Sequence, residues 1–158
     1  MTRFEDGACP GRLSSMTQHP VKCRTAAYAR TRESKPLFRV ISLNANGIRA
    51  AARKGFFEWL EKQDADVVCV QETKAQEHQL VDECFRPAGY HCYYEDAIKK
   101  GYSGTAVYSR HEPRKVVRGW GVEEFDNEGR YLEVQLGAIN VVSLYLPSGS
   151  SSEERQAA

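Results

Sequence analysis

The run Val67-Val68-Cys69-Val70, closed by Gln71-Glu72-Thr73-Lys74, constrains the fold more than any other stretch of this chain. Successive side chains of a strand point to opposite faces, so four consecutive apolar residues require cover on both sides. Such a strand belongs inside a sheet, with other layers packed above and below it. It nevertheless ends on a carboxylate. A strand-end glutamate is commonly just a solvated residue. Set beside other polar strand ends, it becomes a candidate ligand for a hard cation.

The flanking sequence supplies those neighbours. Residues 37–43 (L-F-R-V-I-S-L) read as a strand that ends at the turn-like Asn44-Ala45-Asn46-Gly47. Residues 54–63 place Phe56, Phe57, Trp59 and Leu60 on one broad face, which predicts an amphipathic helix. Asp64-Ala65-Asp66 then turns the chain into the Val67 strand. In such a strand–helix–strand unit the two strands run parallel, so Asn44 and Glu72 emerge on the same sheet edge.

Residues 75–85 read as a further helix, ended by Pro87-Ala88-Gly89. Beyond Gly89 the pattern changes to short strands: Y-H-C-Y-Y-E, then G-T-A-V-Y-S, R-K-V-V-R, and a hairpin across Gly137 joining 130–136 to A-I-N-V-V-S-L-Y-L. The last strand ends at Tyr145. The expected class is α+β with mixed sheets.

Composition narrows the function. The five cysteines, Cys9, Cys23, Cys69, Cys84 and Cys92, form no C-x-x-C pair, and an odd unpatterned set argues for a reducing compartment. His19, His78, His91 and His111 lack zinc-ligand spacing. No run of about 18 apolar residues is present, so no membrane span or membrane partner is expected. The net charge of +1 divides into +4 for residues 1–36 and −3 for 37–158, so overall charge does not draw the folded part to a polyanion.

Residues 1–36 show no helical or strand period and read as a disordered extension. An Arg-rich targeting segment and a nucleic-acid arm are the functional readings of it. An upstream start, with Met16 or a later codon as the true beginning, is the plainer one. Glu5, Asp6 and Glu33 suit a targeting segment poorly. At the other end, P-S-G-S-S-S-E-E-R-Q-A-A reads as a loop followed by a helix start.

Five segments occur in order: I-S-L-N-A-N-G-I-R-A (41–50), D-A-D-V-V-C-V-Q-E-T-K (64–74), G-Y-S-G-T-A-V-Y-S-R (101–110), N-E-G-R (127–130) and S-L-Y-L-P-S-G (143–149). Together they resemble the exonuclease III and abasic-site endonuclease family, within the endonuclease/exonuclease/phosphatase superfamily. The resemblance covers about residues 37–158 and implies the N-terminal half of a four-layer α/β-sandwich: two packed mixed sheets flanked by helices, with the second half missing. It implies that Glu72 binds the metal, Mg²⁺ with Mn²⁺ as a substitute, and that Asn44 sits beside it. Lys74 matches the lysine that supports the metal site. Tyr145 matches the tyrosine that contacts the scissile phosphate. Tyr102 and Arg130 match positions that touch the DNA backbone or groove, and Asn46 a position where relatives carry Asn or Asp.

The implied activity is cleavage of DNA at abasic sites and trimming of 3′ ends in base excision repair, in the cytoplasm of a bacterium or in an organelle or nucleus of a eukaryote. The family's G-D-x-N segment, later aspartate and terminal S-D-H do not occur in these 158 residues. After position 96 the one aspartate is Asp126, in an exposed-looking E-E-F-D-N-E turn. The sequence therefore leaves three readings: a repair phosphodiesterase inactive as this truncated chain, a superfamily member acting on RNA, an inositol phosphate or a phospholipid, and a non-catalytic fragment that binds nucleic acid or a partner. A lone first half is expected to expose apolar sheet surface and to associate.

Overall fold

The computed structural model describes residues 37–146. The expectations for 1–36 and for the loop and helix start after Leu146 lie outside the described residues. Among the described residues, the elements in order are β1 (Val40–Asn44), α1 (Ile48–Arg53), α2 (Phe56–Glu61), β2 (Val67–Gln71), β3 (His91–Glu95), β4 (Thr105–Ser109), β5 (Lys115–Arg118), α3 (Glu123–Asp126), β6 (Tyr131–Leu136) and β7 (Ile139–Leu144). They form two sheets, one ordered β1-β2-β4-β3 and the other β5-β6-β7. The expected strands are all present. The first is shorter than the apolar run suggested, beginning at Val40, because Leu37 and Phe38 are exposed.

β2 is the shared wall of two cores. Val68 and Val70 point toward the helices, into a cluster with Ile48, Phe56, Phe57, Leu60, Leu80, Phe85 and Tyr108. Val67 and Cys69 point the other way, onto Val107, Leu132 and Val134. All four are at most 2% exposed. Full burial of each valine contributes roughly 1.5–3 kcal/mol, which is why the run sits in the middle of a sheet and not at its rim. The second sheet packs on that inner face, β7 over β2 and β6 over β4.

β1 pairs parallel with β2, Asn44 opposite Gln71, while β4 is antiparallel to both β2 and β3. β6 and β7 form the expected hairpin, with Leu136 opposite Ile139 and Gly137 in the left-handed region at φ 72°.

Three local expectations are corrected. The helix expected over 54–63 is confined to Phe56–Glu61, because Gly55 adopts φ 85° and separates it from α1. The expected helix over 75–85 is absent: only two single 3-10 turns form, Glu77–Gln79 and Glu83–Phe85. Its large buried apolar residues, Leu80 and Phe85, lie five positions apart and do not stack on one helical face. Gln76 also ties the segment sideways, donating to the Ala97 carbonyl at 2.6 Å and to Asp96 at 3.0 Å. Asp126 is half-buried, not free in a turn, and accepts the backbone N–H groups of Trp120 and Gly121 at 2.9 and 3.0 Å.

Candidate active site at the edge of the first sheet

The parallel pairing of β1 and β2 delivers Asn44 and Glu72 to one edge, as the sequence predicts. Glu72 follows β2 directly and turns sharply, with φ 54° in the left-handed region; Lys74 follows at φ 48°. Such a conformation at a non-glycine residue costs on the order of 1 kcal/mol and persists where its surroundings over-determine it. Here they do. Gly47 N–H donates to the Glu72 carbonyl at 2.7 Å, and Ile48 N–H to Thr73 at 2.9 Å. From the other side Thr73 N–H donates to Gly104 and Lys74 N–H to Ser103, at 3.1 and 2.9 Å. Gly104 must remain bare, because a Cβ there would lie 2.3 Å from the Thr73 hydroxyl oxygen.

The side chains close into a network. The Asn44 amide donates to Glu72 Oε1 at 2.7 Å, and its own Oδ1 accepts the Asn46 N–H at 2.9 Å. Lys74 Nζ lies 2.7 Å from Glu72 Oε2 and donates to Asn46 Oδ1 at 2.5 Å. The Tyr145 hydroxyl also acts on the carboxylate. The Asn44 bond first, and then those of Lys74 and Tyr145, hold the Glu72 carboxyl down at about 2, against the opposing effect of burial. Burial and the bond to Glu72 together push the Tyr145 phenol up. Glu72 is therefore a fixed anion, 16% exposed at the tip of a rigid strand.

Tyr102 and Arg130 sit behind Tyr145. The Arg130 guanidinium donates to the Tyr102 hydroxyl at 2.9 Å and to the Tyr145 carbonyl at 3.0 Å. Arg130 is 2% exposed, so its cation faces the interior. The structure thus brings Asn44, Asn46, Glu72, Lys74 and Tyr145 together directly, with Tyr102 joined to them through Arg130.

Sequence reasoning did not assign a role to Gln71. Its amide donates to Ser42 at 3.1 Å on β1 and to Ser143 at 3.3 Å on β7, and Ser143 in turn donates to the Val70 carbonyl at 3.2 Å. This polar bridge fixes the two sheets beneath the site. The available signal was a polar residue closing an apolar run on the inward-facing side. Two depressions flank the site: one of 550 Å³ bordered by Asn44, Asn46, Lys54 and Trp59, and one of 310 Å³ bordered by Arg49, Arg53, Thr73 and Lys74. The second carries three cations beside an anion, a surface suited to oriented phosphates.

Comparison with known proteins bears on the family and the fold. The chain is 47% identical over 118 residues to an exodeoxyribonuclease of Bacillus subtilis, which covers 74% of this chain and 46% of that protein. It is 33% identical over 113 residues to a DNA-(apurinic or apyrimidinic site) endonuclease of Dictyostelium discoideum, covering 72% of this chain and 31% of the relative. Among solved structures, an AP endonuclease from Archaeoglobus fulgidus superposes with a TM-score of 0.66 at 29% identity, over 77% of this chain and 46% of that one. The chain thus spans half or less of the length of these relatives. Residues 41–157 match the endonuclease/exonuclease/phosphatase family, and with a mixed sheet packed on an antiparallel one and Asn44 and Glu72 at one edge of the first, the chain belongs to that family.

Proposed function

We propose that residues 37–158 form the N-terminal half of a metal-dependent DNA phosphodiesterase of exonuclease III type, which cleaves at abasic sites and trims 3′ ends. The observation that carries this reading is the ionised Glu72 held at a sheet edge by Asn44, Lys74 and Tyr145. The names of the relatives, an exodeoxyribonuclease and an abasic-site endonuclease, favour DNA over RNA or phospholipid substrates.

The donor set fits a hard cation. Among the described residues no group of three or more His, Cys, Asp and Glu gathers that could hold a metal ion, so the candidate ligand is the single carboxylate of Glu72. A single anionic carboxylate is what Mg²⁺ commonly takes from a protein, with water and phosphate oxygens completing its shell. Glu72 would hold it, and Mn²⁺ is an expected substitute. When bound, the ion supplies charge neutralisation at the phosphate and at the leaving oxygen.

The chain's own groups have separate tasks. Asn44 and Lys74 keep the carboxylate oriented, so no reorganisation is needed when the phosphate arrives. The Tyr145 hydroxyl lies beside that carboxylate and offers a hydrogen bond to a phosphate oxygen. The water-activating aspartate and the histidine belong to segments of the family that do not occur in these 158 residues, so the 158-residue chain by itself is expected to lack nicking activity. Among the described residues no helix is long and apolar enough to cross a membrane. We place the protein in the bacterial cytoplasm, or in an organelle or nucleus if its source is eukaryotic.

The test is a chimera. Residues 37–158 replace the matching segment of the Bacillus subtilis exodeoxyribonuclease, and the product is assayed on duplex DNA with one abasic site, on RNA and on phosphoinositides. Mg²⁺-dependent nicking of the abasic duplex, abolished by chelation and by Glu72→Ala, is expected. Nicking that persists in Glu72→Ala, or a preference for RNA or lipid, would overturn the reading.

A further inference from the structure

Arg130 is among the largest fully buried side chains among the described residues. A guanidinium carries five N–H donors, and here all three of its nitrogens are engaged. Nε donates to Glu128 Oε2 at 2.5 Å, Nη1 to the Tyr145 carbonyl at 3.0 Å and Nη2 to the Tyr102 hydroxyl at 2.9 Å. Aromatic rings lie against the cation as well, with the Tyr145 centroid 5.0 Å and the Tyr102 centroid 5.7 Å from its carbon. A group so enclosed cannot meet a phosphate without leaving these partners.

The backbone beneath it is equally fixed. Tyr145 N–H donates to the Arg130 carbonyl at 3.0 Å, so the two residues are joined in both directions. Gly129 packs so closely that a Cβ would lie 2.7 Å from the Asp96 carbonyl carbon. Thr105, at the start of β4, donates its hydroxyl to the Gly129 carbonyl at 3.2 Å. Arg130 therefore projects from a pinned segment into the space between two tyrosines.

We infer that Arg130 is a positioning residue, which sets Tyr102 and Tyr145 against the substrate side of the site and does not itself touch substrate. This rests on the proposed reading of the site as a DNA phosphodiesterase. The route is short: Arg130 fixes the backbone and ring of Tyr145, and the Tyr145 hydroxyl bears on Glu72. Lysine cannot replace it, because a single ammonium lacks the planar fork that reaches Glu128, Tyr145 and Tyr102 together.

Two readouts on the full chain test the inference. The first is NMR of the chain labelled at tyrosine. In Arg130→Lys and Arg130→Met, the Tyr102 and Tyr145 ring resonances are expected to move together, while those of Tyr94 and Tyr108 in the helical core stay in place. Should Arg130→Met fail to fold, Tyr102→Phe removes one hydroxyl only, and it is expected to shift the Tyr145 resonance through the guanidinium.

The second readout is binding of an abasic-site duplex by anisotropy across a salt series. Arg130→Met is expected to weaken binding about ten-fold with an unchanged slope of log K against log salt, and to be non-additive with Tyr102→Phe. A slope reduced by about 0.9, the signature of one lost phosphate contact, with tyrosine resonances unmoved, would overturn the inference. An unmoved Tyr145 resonance in Tyr102→Phe would also count against it. Absence of any duplex binding by the unmodified chain would speak against the functional reading instead, and the tyrosine resonances still decide the role of Arg130.

Discussion

Asn44 and Glu72 are 28 positions apart and share a 2.7 Å hydrogen bond because two parallel strands end together. The bond fixes one carboxylate oxygen, while Lys74 fixes the other. Asn44→Ala, in the chimera described above, is expected to weaken Mg²⁺ binding and activity by about 10–100-fold, the usual effect of removing a partner that orients a metal ligand. Calorimetric Mg²⁺ titration beside the nicking assay checks this. Equal Mg²⁺ affinity in Asn44→Ala and the parent would refute it.

The close approach of Gly104 to Thr73 makes a second prediction. Gly104→Ala places a methyl 2.3 Å from the Thr73 hydroxyl at φ 83°. It is expected to destabilise the fold by about 1–3 kcal/mol in urea unfolding. Adding Thr73→Ala is expected to recover part of that loss, because the clashing atom is gone while the backbone strain remains.

At the far end of β2, Asp66 accepts the Arg39 backbone N–H at 2.8 Å and contacts His111 at 2.8 Å. The Arg39 bond, then His111, hold its carboxyl below the usual aspartate range. A depressed carboxyl stabilises the fold fully above its unfolded value, about 4, and loses that contribution as pH falls through the lower folded value. The melting temperature of Asp66→Asn is therefore expected below that of the parent at about pH 5, with the margin closing on acidification below about pH 4. A margin that widens on acidification would have the wrong sign.

Thiol chemistry separates surface from core. Cys84 is exposed, whereas burial pushes the Cys69 thiol up to about 11. Since the thiolate is the reactive form, alkylation followed by mass spectrometry is expected to label Cys84 before Cys69, and Cys69 only after unfolding.

Among the described residues β7 is an edge strand of the second sheet, and it carries Val142 and Leu144, both 39% exposed, with Leu146 at 63% just beyond. An apolar edge strand with open hydrogen-bonding groups invites pairing between chains. Sedimentation is expected to show concentration-dependent association of the chain, reduced in Val142→Lys/Leu144→Lys. A monodisperse monomer at all concentrations would argue against this.

What the sequence revealed depended on whether a feature was local. The two-faced burial of β2 was legible because four apolar residues in a row admit no other strand environment. The Asn44–Glu72 edge followed from that strand and its parallel neighbour. α1 was hidden, since Ile48 is its one fully buried residue and no apolar stripe marks it. The tether of Gln76 to Asp96 and the bridge from Gln71 to Ser143 join residues 20 and 72 positions apart, and only the folded chain brings them together. The burial of Arg130 ran against the usual exposure of arginine, and nothing in N-E-G-R distinguishes a cation facing DNA from one facing two tyrosines.

On the proposed reading of Glu72 as the metal-holding carboxylate, the left-handed turn there sets stability against activity at a single position. The backbone there favours glycine, which adopts that conformation without steric cost, yet glycine offers no carboxylate. A chain freed from selection for catalysis would gain backbone ease by drifting to glycine at 72, and a chain that keeps glutamate there tolerates local strain for the sake of its charge. The residue retained at this turn in any copy of the gene is thus a record of which pressure has prevailed.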